Sequence, residues 1–325
     1  MRMDCLEEID PALSTKMEHD VAVLARVIRH LPRLRILRFG NLGFCPTSES
    51  LPVAQLDGLP RSLERMDILV DPWLDSPTSV MDGFLGFASL FSHMGTLHLE
   101  GTLSLPSGTS PPKPPSNLRF DALELIGCSG VDGFIDAFQP MLTSTPQPVK
   151  TLELECSAEH RLNADALKRL WDIVSPSLVN ATLNVSMLKD YGRHDRSSVA
   201  DAFDVSRCPL IASLTLVVLA YGGSIVGDGG WPIAAQMLSR LLGPSRPKPL
   251  RRVTVRAVLN YRSLTDMHTR GPDAIREVED SLLKLREQGI CGEIALFDVM
   301  GRETYFRQWA EILFPRILQL SQTEA

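Results

Sequence analysis

Val149-Lys-Thr-Leu-Glu-Leu-Glu155 changes side with every residue. In an extended chain Leu152 and Leu154 fall on one face, and Thr151, Glu153 and Glu155 on the other. Its first six residues follow a rule: apolar, any, any, aliphatic, any, aliphatic. The same phrase starts at Leu34, Leu63, Met94, Phe120, Val149, Asn180, Ile211, Leu250 and Cys291. Successive starts lie 29, 31, 26, 29, 31, 31, 39 and 41 residues apart. At Asn180 an amide stands where an apolar residue is expected. Near-regular returns of one strand phrase mark a repeat architecture, in which a unit buries its apolar face by stacking on the next.

The intervals between phrases carry helical spacing. Val21, Leu24, Ala25, Ile28 and Leu31 form one apolar stripe. Phe134, Ile135, Phe138 and Leu142 form a second. Leu167, Leu170, Trp171 and Val174 form a third, with Asn163 as its expected N-cap. Ile233, Met237, Leu238 and Leu241 form a fourth. A fifth runs from Pro272 through Ile275, Val278, Leu282 and Leu285 to a stop at Gly289. A final helix is expected at about Glu303–Phe314, as a cap over the last repeat. Alternating strands and helices predict an α/β fold with parallel strands and right-handed crossovers. The expected architecture is one irregular right-handed solenoid over roughly residues 20–315. Its parallel sheet lines a concave face and its helices cover the convex one.

Three stretches break the pattern. Residues 105–117 hold Pro106, Pro111, Pro112, Pro114 and Pro115, and read as a flexible loop. Lys189 to Ser198 reads as a polar surface excursion. Tyr221 to Gly230 is glycine-rich and lies between a strand and a helix. Gly222 and Gly227 have the spacing of a phosphate-binding loop. Asp228 and Gly229 stand where that loop needs Lys and Ser or Thr, so the stretch reads as a turn.

Composition narrows the function. The 325 residues are 44% hydrophobic and 22% charged, with a net charge of −6. That balance argues against nucleic acid or an anionic membrane as partner. The six cysteines form no C-x-x-C pair, and several sit inside apolar phrases, as expected of a reducing compartment. Met1 to Asp10 has no apolar run of a secretory signal, and the longest apolar stretch, near Leu214–Tyr221, is too short to span a bilayer. A cytoplasmic or nuclear monomer is the expectation. No H-E-x-x-H, G-x-S-x-G or paired-cysteine metal motif occurs. His93 and His98 lack a third ligand nearby, and Cys128 reads as a turn residue after its strand. No catalytic residue, metal or cofactor is therefore assigned.

The phrases Leu34-Arg-Ile-Leu-Arg-Phe39, Met94-Gly-Thr-Leu-His-Leu99 and Phe120-Asp-Ala-Leu-Glu-Leu125 resemble the strand phrase of leucine-rich repeats. That family often has Asn or Cys at the ninth position. Here the ninth residue is Asp71, Thr102, Cys128 or Ser157 in four repeats, and Leu42, Leu188, Leu219, Val258 or Val299 in five. The long repeats, with His-Leu-Pro-x-Leu at His30–Leu34, are similar to the substrate-binding part of F-box-like proteins of mushroom-forming fungi. The resemblance implies a substrate receptor. Only about thirty residues precede the first strand, so the F-box itself is expected to be missing, and ligase recruitment with it.

The third, fifth and seventh residues of each phrase should share the concave face. The first two strands place Arg38, Arg65 and Asp67 there. The middle three place His98, Glu100, Glu124, Glu153 and Glu155. The sixth and seventh place Thr182, Asn184, Ser186, Ser213 and Thr215, and the eighth Arg252 and Arg256. The four glutamates form an acidic band flanked by basic strands. Like charges on adjacent strands cost stability, which points to a face kept for a basic segment of a protein partner. The plain alternative is ordinary solvated alternation. A non-catalytic protein-recognition module is the first functional expectation. The second is an enzyme regulator such as a GTPase activator, using Arg38, Arg252 or Arg256. The third is a decayed relative with no retained partner.

Overall fold

The computed structural model describes residues 8–9, 17–40, 42–45, 62–70, 88, 90–102, 118–144, 148–156, 161–188, 191, 198–220, 230–259, 272–298 and 313–317. The proline-rich stretch 105–117 lies outside these residues. So do residues 221–229, most of 189–198 and most of the expected last helix. The chain forms two compact units, Met1–Val174 and Ser175–Ala325. Both are α/β with parallel strands. All nine phrases form strands.

The first unit contains β1 (Glu8–Ile9), β2 (Met17–Asp20), β3 (Ile36–Gly40), β4 (Leu42–Cys45), β5 (Ser62–Val70), β6 (His93–Thr102), β7 (Arg119–Ser129) and β8 (Thr151–Glu155). Strands β1, β3, β5, β6, β7 and β8 lie side by side in that order, all parallel. A separate parallel pair joins β2 to β4. The intervals between phrases are long enough for the crossover that a parallel neighbour requires. Helices α1 (Val21–Arg29), α2 (Val131–Ser144) and α3 (Arg161–Val174) coincide with the first three apolar stripes.

Register puts equivalent phrase positions opposite each other. The third residues Ile36, Arg65, Thr96, Ala122 and Thr151 form one row across five strands. The fourth and sixth residues are buried in every repeat of this unit, among them Leu37, Met66, Leu97, Leu123 and Leu152. Each such side chain stabilises the fold by roughly 1.5–3 kcal/mol. Phe120 of β7 meets Phe138 of α2 at 6.2 Å between ring centroids, and Phe134 stacks on Phe138 at 4.3 Å. The aliphatic face of the sheet is thus the helix side.

Asn163 is not the N-cap of its own helix. It lies inside α3, buried, and its Oδ1 accepts from the backbone N–H of Val131, the first residue of α2, at 3.1 Å. The side chain caps a neighbouring helix 32 residues earlier. That satisfies an N–H left without a partner at a helix start. Thiols serve the strand ends similarly. Cys128 Sγ donates to the carbonyl of Leu99 at 3.1 Å, and Cys156 Sγ to that of Leu125 at 3.3 Å. Each links a strand end to the repeat before it.

The second unit contains β9 (Asn180–Asn184), β10 (Ser213–Ala220), β11 (Arg252–Leu259) and β12 (Cys291–Asp298), again side by side in sequence order and parallel. Its helices are α4 (Val199–Ala202), α5 (Trp231–Leu241) and α6 (Pro272–Glu287). Two phrase starts are corrected here. Asn180 pairs with Ser213, the third residue of its own phrase, so the sixth phrase begins two residues earlier, at buried Leu178. Cys291 pairs with Arg252, also a third residue, so the ninth begins at Gly289. Both shifts are even, so no side chain changes face.

Gly289, at φ 78°, ends α6 in the left-handed region open to glycine. Gly292 allows a close approach: a Cβ there would lie 2.7 Å from the carbonyl oxygen of Leu282 in α6. Buried Glu279 of α6 accepts from the backbone N–H groups of Arg316 and Ile317 at 2.8 and 3.1 Å. Phe314 then packs 5.7 Å from the Trp231 ring. No helix among the described residues is long and apolar enough to cross a membrane.

Candidate functional site

The polar face of the first unit carries one continuous charged row. Its fifth-position residues are Arg38 on β3, Asp67 on β5, His98 on β6, Glu124 on β7 and Glu153 on β8, each opposite the next. The seventh-position row runs through Leu69, Glu100, Ile126 and Glu155. Strands about 4.8 Å apart bring such side chains within reach of one another.

Arg65, one row earlier, ties these strands together. Its Nε donates to Asp67 Oδ1 at 2.6 Å on its own strand. Its Nη1 and Nη2 donate to the two carboxylate oxygens of Glu124 at 3.2 and 2.7 Å, across the intervening β6. Beside it in its row stand Thr96 and Ala122, short residues that leave room for the long side chain. Arg38 Nε closes the other side of Asp67 at 3.0 Å. His98 Nδ1 lies 2.9 Å from Glu124 Oε2, and its Nε2 lies 3.7 Å from Glu100. Asp67 is 6% exposed. Its partners hold that burial, because a buried carboxylate without cations is costly.

These contacts set protonation. The hydrogen bond from His98, followed by those from Arg65, overcomes burial and brings Glu124 down to about 2. The same bond to Glu124 raises His98 above its ordinary value, and the Asp67 charge adds to it. Burial opposes the charge on Arg65, but Glu124 and Asp67 outweigh it and raise its pKa. A carboxylate held so far below neutrality is a weak general base. The cluster thus keeps Glu124 charged at neutral pH.

Of the residues expected to share a face, the fold brings together Arg38, Arg65, Asp67, His98 and Glu124, with Arg65 bonded to both carboxylates. Glu153 stands opposite Glu124, and Glu100 and Glu155 occupy the next row. The glutamates therefore do not act as one unmixed acidic band, since Glu124 is bound by Arg65 and His98. Arg252 and Arg256 belong to the second unit. Arg252 approaches Glu293 at 3.8 Å and stays well exposed. Arg256 lies 4.6 Å above the Phe297 ring, a cation–π geometry, and its buried Nε has no hydrogen-bond partner among the described residues. Asn184, expected on the polar face, is fully buried, with Oδ1 accepting from the Met187 N–H. The Arg65–Glu124 bond spans 59 residues and skips a strand. Alternation gives the face of each partner but not this reach.

The buried thiols of Cys128 and Cys208 are poor nucleophiles. Its neighbour Cys156 and burial push Cys128 far above the ordinary thiol range, and burial pushes Cys208 up to about 12. Among the described residues, no three His, Cys, Asp or Glu side chains group as a metal site. No family model matches this chain, and no curated protein matches it.

Proposed function

We propose that the chain is a leucine-rich-repeat-like solenoid and a non-catalytic protein-recognition module, whose polar sheet face receives a basic segment of a partner. The observation that carries this is the charged network of the first unit. Arg38, Arg65 and His98 hold Asp67 and Glu124 in place, with Glu100, Glu153 and Glu155 beside them on the same face. Side chains already ordered lose less entropy on binding, so such a face is pre-organised. The low pKa of Glu124 supports recognition over acid–base chemistry. A role like that of an F-box-type substrate receptor fits the same surface. The GTPase-activator reading needs an arginine free to extend into a partner's active site. Of the arginines that reading would use, Arg38 is committed to Asp67 and Arg256 lies over the Phe297 ring, which leaves the exposed Arg252 as its candidate.

Fluorescence anisotropy with labelled Lys-rich and Glu-rich peptides tests the proposal. The Lys-rich peptide should bind, more weakly as salt rises. Reversal of Glu153 and Glu155 to Lys should lower its affinity by about tenfold or more, roughly 1.4 kcal/mol. Unchanged binding after reversal, or equal binding of the Glu-rich peptide, would overturn it.

A further inference from the structure

The second unit holds a cavity of about 300 Å³ away from its strands. It opens between the segment that follows α4, the helix α5 and the loop after α5. Its floor is apolar: Phe203, Val205, Met237 and Leu241 are all buried. Its rim is charged. Arg240 and Arg246 line it, and so does Asp204.

The three charges are not equivalent. Asp204 is turned into its own chain, with Oδ1 accepting from the Ser206 N–H at 2.9 Å and Oδ2 from the Ser206 hydroxyl at 2.8 Å. Arg240 is paired with Asp201, whose carboxylate is held down to about 2 by Ser198 and by Arg240 itself. Among the described residues, the guanidinium of Arg246 has only a neutral side-chain acceptor, the amide oxygen of Gln288. A carboxylate would make a stronger, charge-assisted contact there than an amide does.

An apolar floor beneath an arginine that pairs with no carboxylate among the described residues selects an amphipathic anion. We propose that this cavity binds a small monocarboxylate, with its hydrocarbon body against Phe203, Met237 and Leu241 and its carboxylate on Arg246. The volume lies at the lower end of the range for small-molecule sites, which start at about 300 Å³. Taking the ~30 Å³ share of a liquid water molecule as the unit, it has room for roughly ten non-hydrogen atoms. The polar sheet face takes no part in this site, so the two proposals stand or fall separately.

Octanoate, 1-octanol and octylammonium share a chain length and differ in head-group charge. Each is titrated into the full chain at fixed ionic strength, below its micelle concentration, with ligand-observed NMR and calorimetry as readouts. Octanoate should bind at least about tenfold more tightly than octanol, and octylammonium least. Arg246→Gln should erase the preference for octanoate and leave octanol binding unchanged. Met237→Trp should fill the cavity and abolish binding of all three, with its melting temperature checked against the parent. Arg246 lies at the rim, so the glutamine variant decides the question even where the tryptophan variant folds poorly. Absence of octanoate binding at millimolar concentration would overturn the proposal. So would equal binding to Arg246→Gln, which marks an adventitious additive only.

Discussion

The two units use one strand phrase and give its two faces different freedom. On the helix side they agree: Leu123, Leu125, Leu152 and Leu154 in the first correspond to Leu214, Leu216, Val253 and Val255 in the second, all buried. On the polar side they part. The first unit presents Arg38, Asp67, His98, Glu124 and Glu153 along a row. The second presents Thr182, Thr215, Thr254 and Glu293 along the equivalent one. Close packing constrains what faces the helices, because a missing methylene leaves a void. Much of the polar side is less tightly packed, and its chemistry differs between the units.

The largest expected effect tests the shared half of that comparison. Leu123→Ala and Leu214→Ala should each destabilise by about 2–5 kcal/mol in urea unfolding, since both side chains are fully buried. A cost in one unit several times that in the other would break the equivalence of the buried rows.

Close approach gives the next effect. Gly292→Ala should cost about 1–3 kcal/mol, because its Cβ would lie 2.7 Å from a backbone oxygen of α6. A thermal-melting series that includes a serine substitution checks the steric cause, as both new side chains should lower the melting temperature.

The polar faces are separated by a pair of arginine substitutions. Arg65→Met removes bonds to Asp67 and Glu124 and should cost about 1–3 kcal/mol, because it leaves part-buried carboxylates short of partners. Arg252→Met breaks one exposed contact at 3.8 Å and should stay within about 0.5 kcal/mol of the parent. Equal losses would show that the network of the first unit adds nothing beyond surface pairing.

The smallest effect is read from pH. Glu124 titrates at about 2 when folded against an ordinary 4.5, so its contribution is full above about 4.5 and is lost as pH falls towards 2. His98 is raised above 6.5, so its contribution is full below 6.5 and is lost as pH rises through the folded value. Melting temperatures of the parent should thus decline at both ends relative to Glu124→Gln. Arg252→Gln should leave the pH profile of the parent unchanged. A flat difference between the parent and Glu124→Gln across pH 2–8 would remove the network from the stability of the protein.

Much of this fold is legible in residue spacing. Leu152 and Leu154 announce a strand and its buried side, and Ile275, Val278, Leu282 and Leu285 a helix. Phrase boundaries are less legible where the first apolar residue has competitors. Leu178 and Asn180 both permit an alternating strand, and pairing with Ser213 decides between them. Asn163 shows the limit of local capping rules, since its amide serves Val131 on another helix. For the candidate site, the shared face of Arg38, Arg65, His98 and Glu124 follows from alternation. The reach of Arg65 to both Asp67 and Glu124 does not.

Nine strands, most of the helices and the sorting of side chains to two faces are set by residue spacing alone. Those follow from a two-residue period in strands and a 3.6-residue period in helices, both local properties of the chain. Which charges meet, the burial of Asn184 and the place of Arg246 on the rim of a cavity, paired among the described residues with Gln288, come only from long-range contact. Such contacts depend on register, on the reach of long side chains and on the size of their neighbours, and these exist only once distant segments lie side by side.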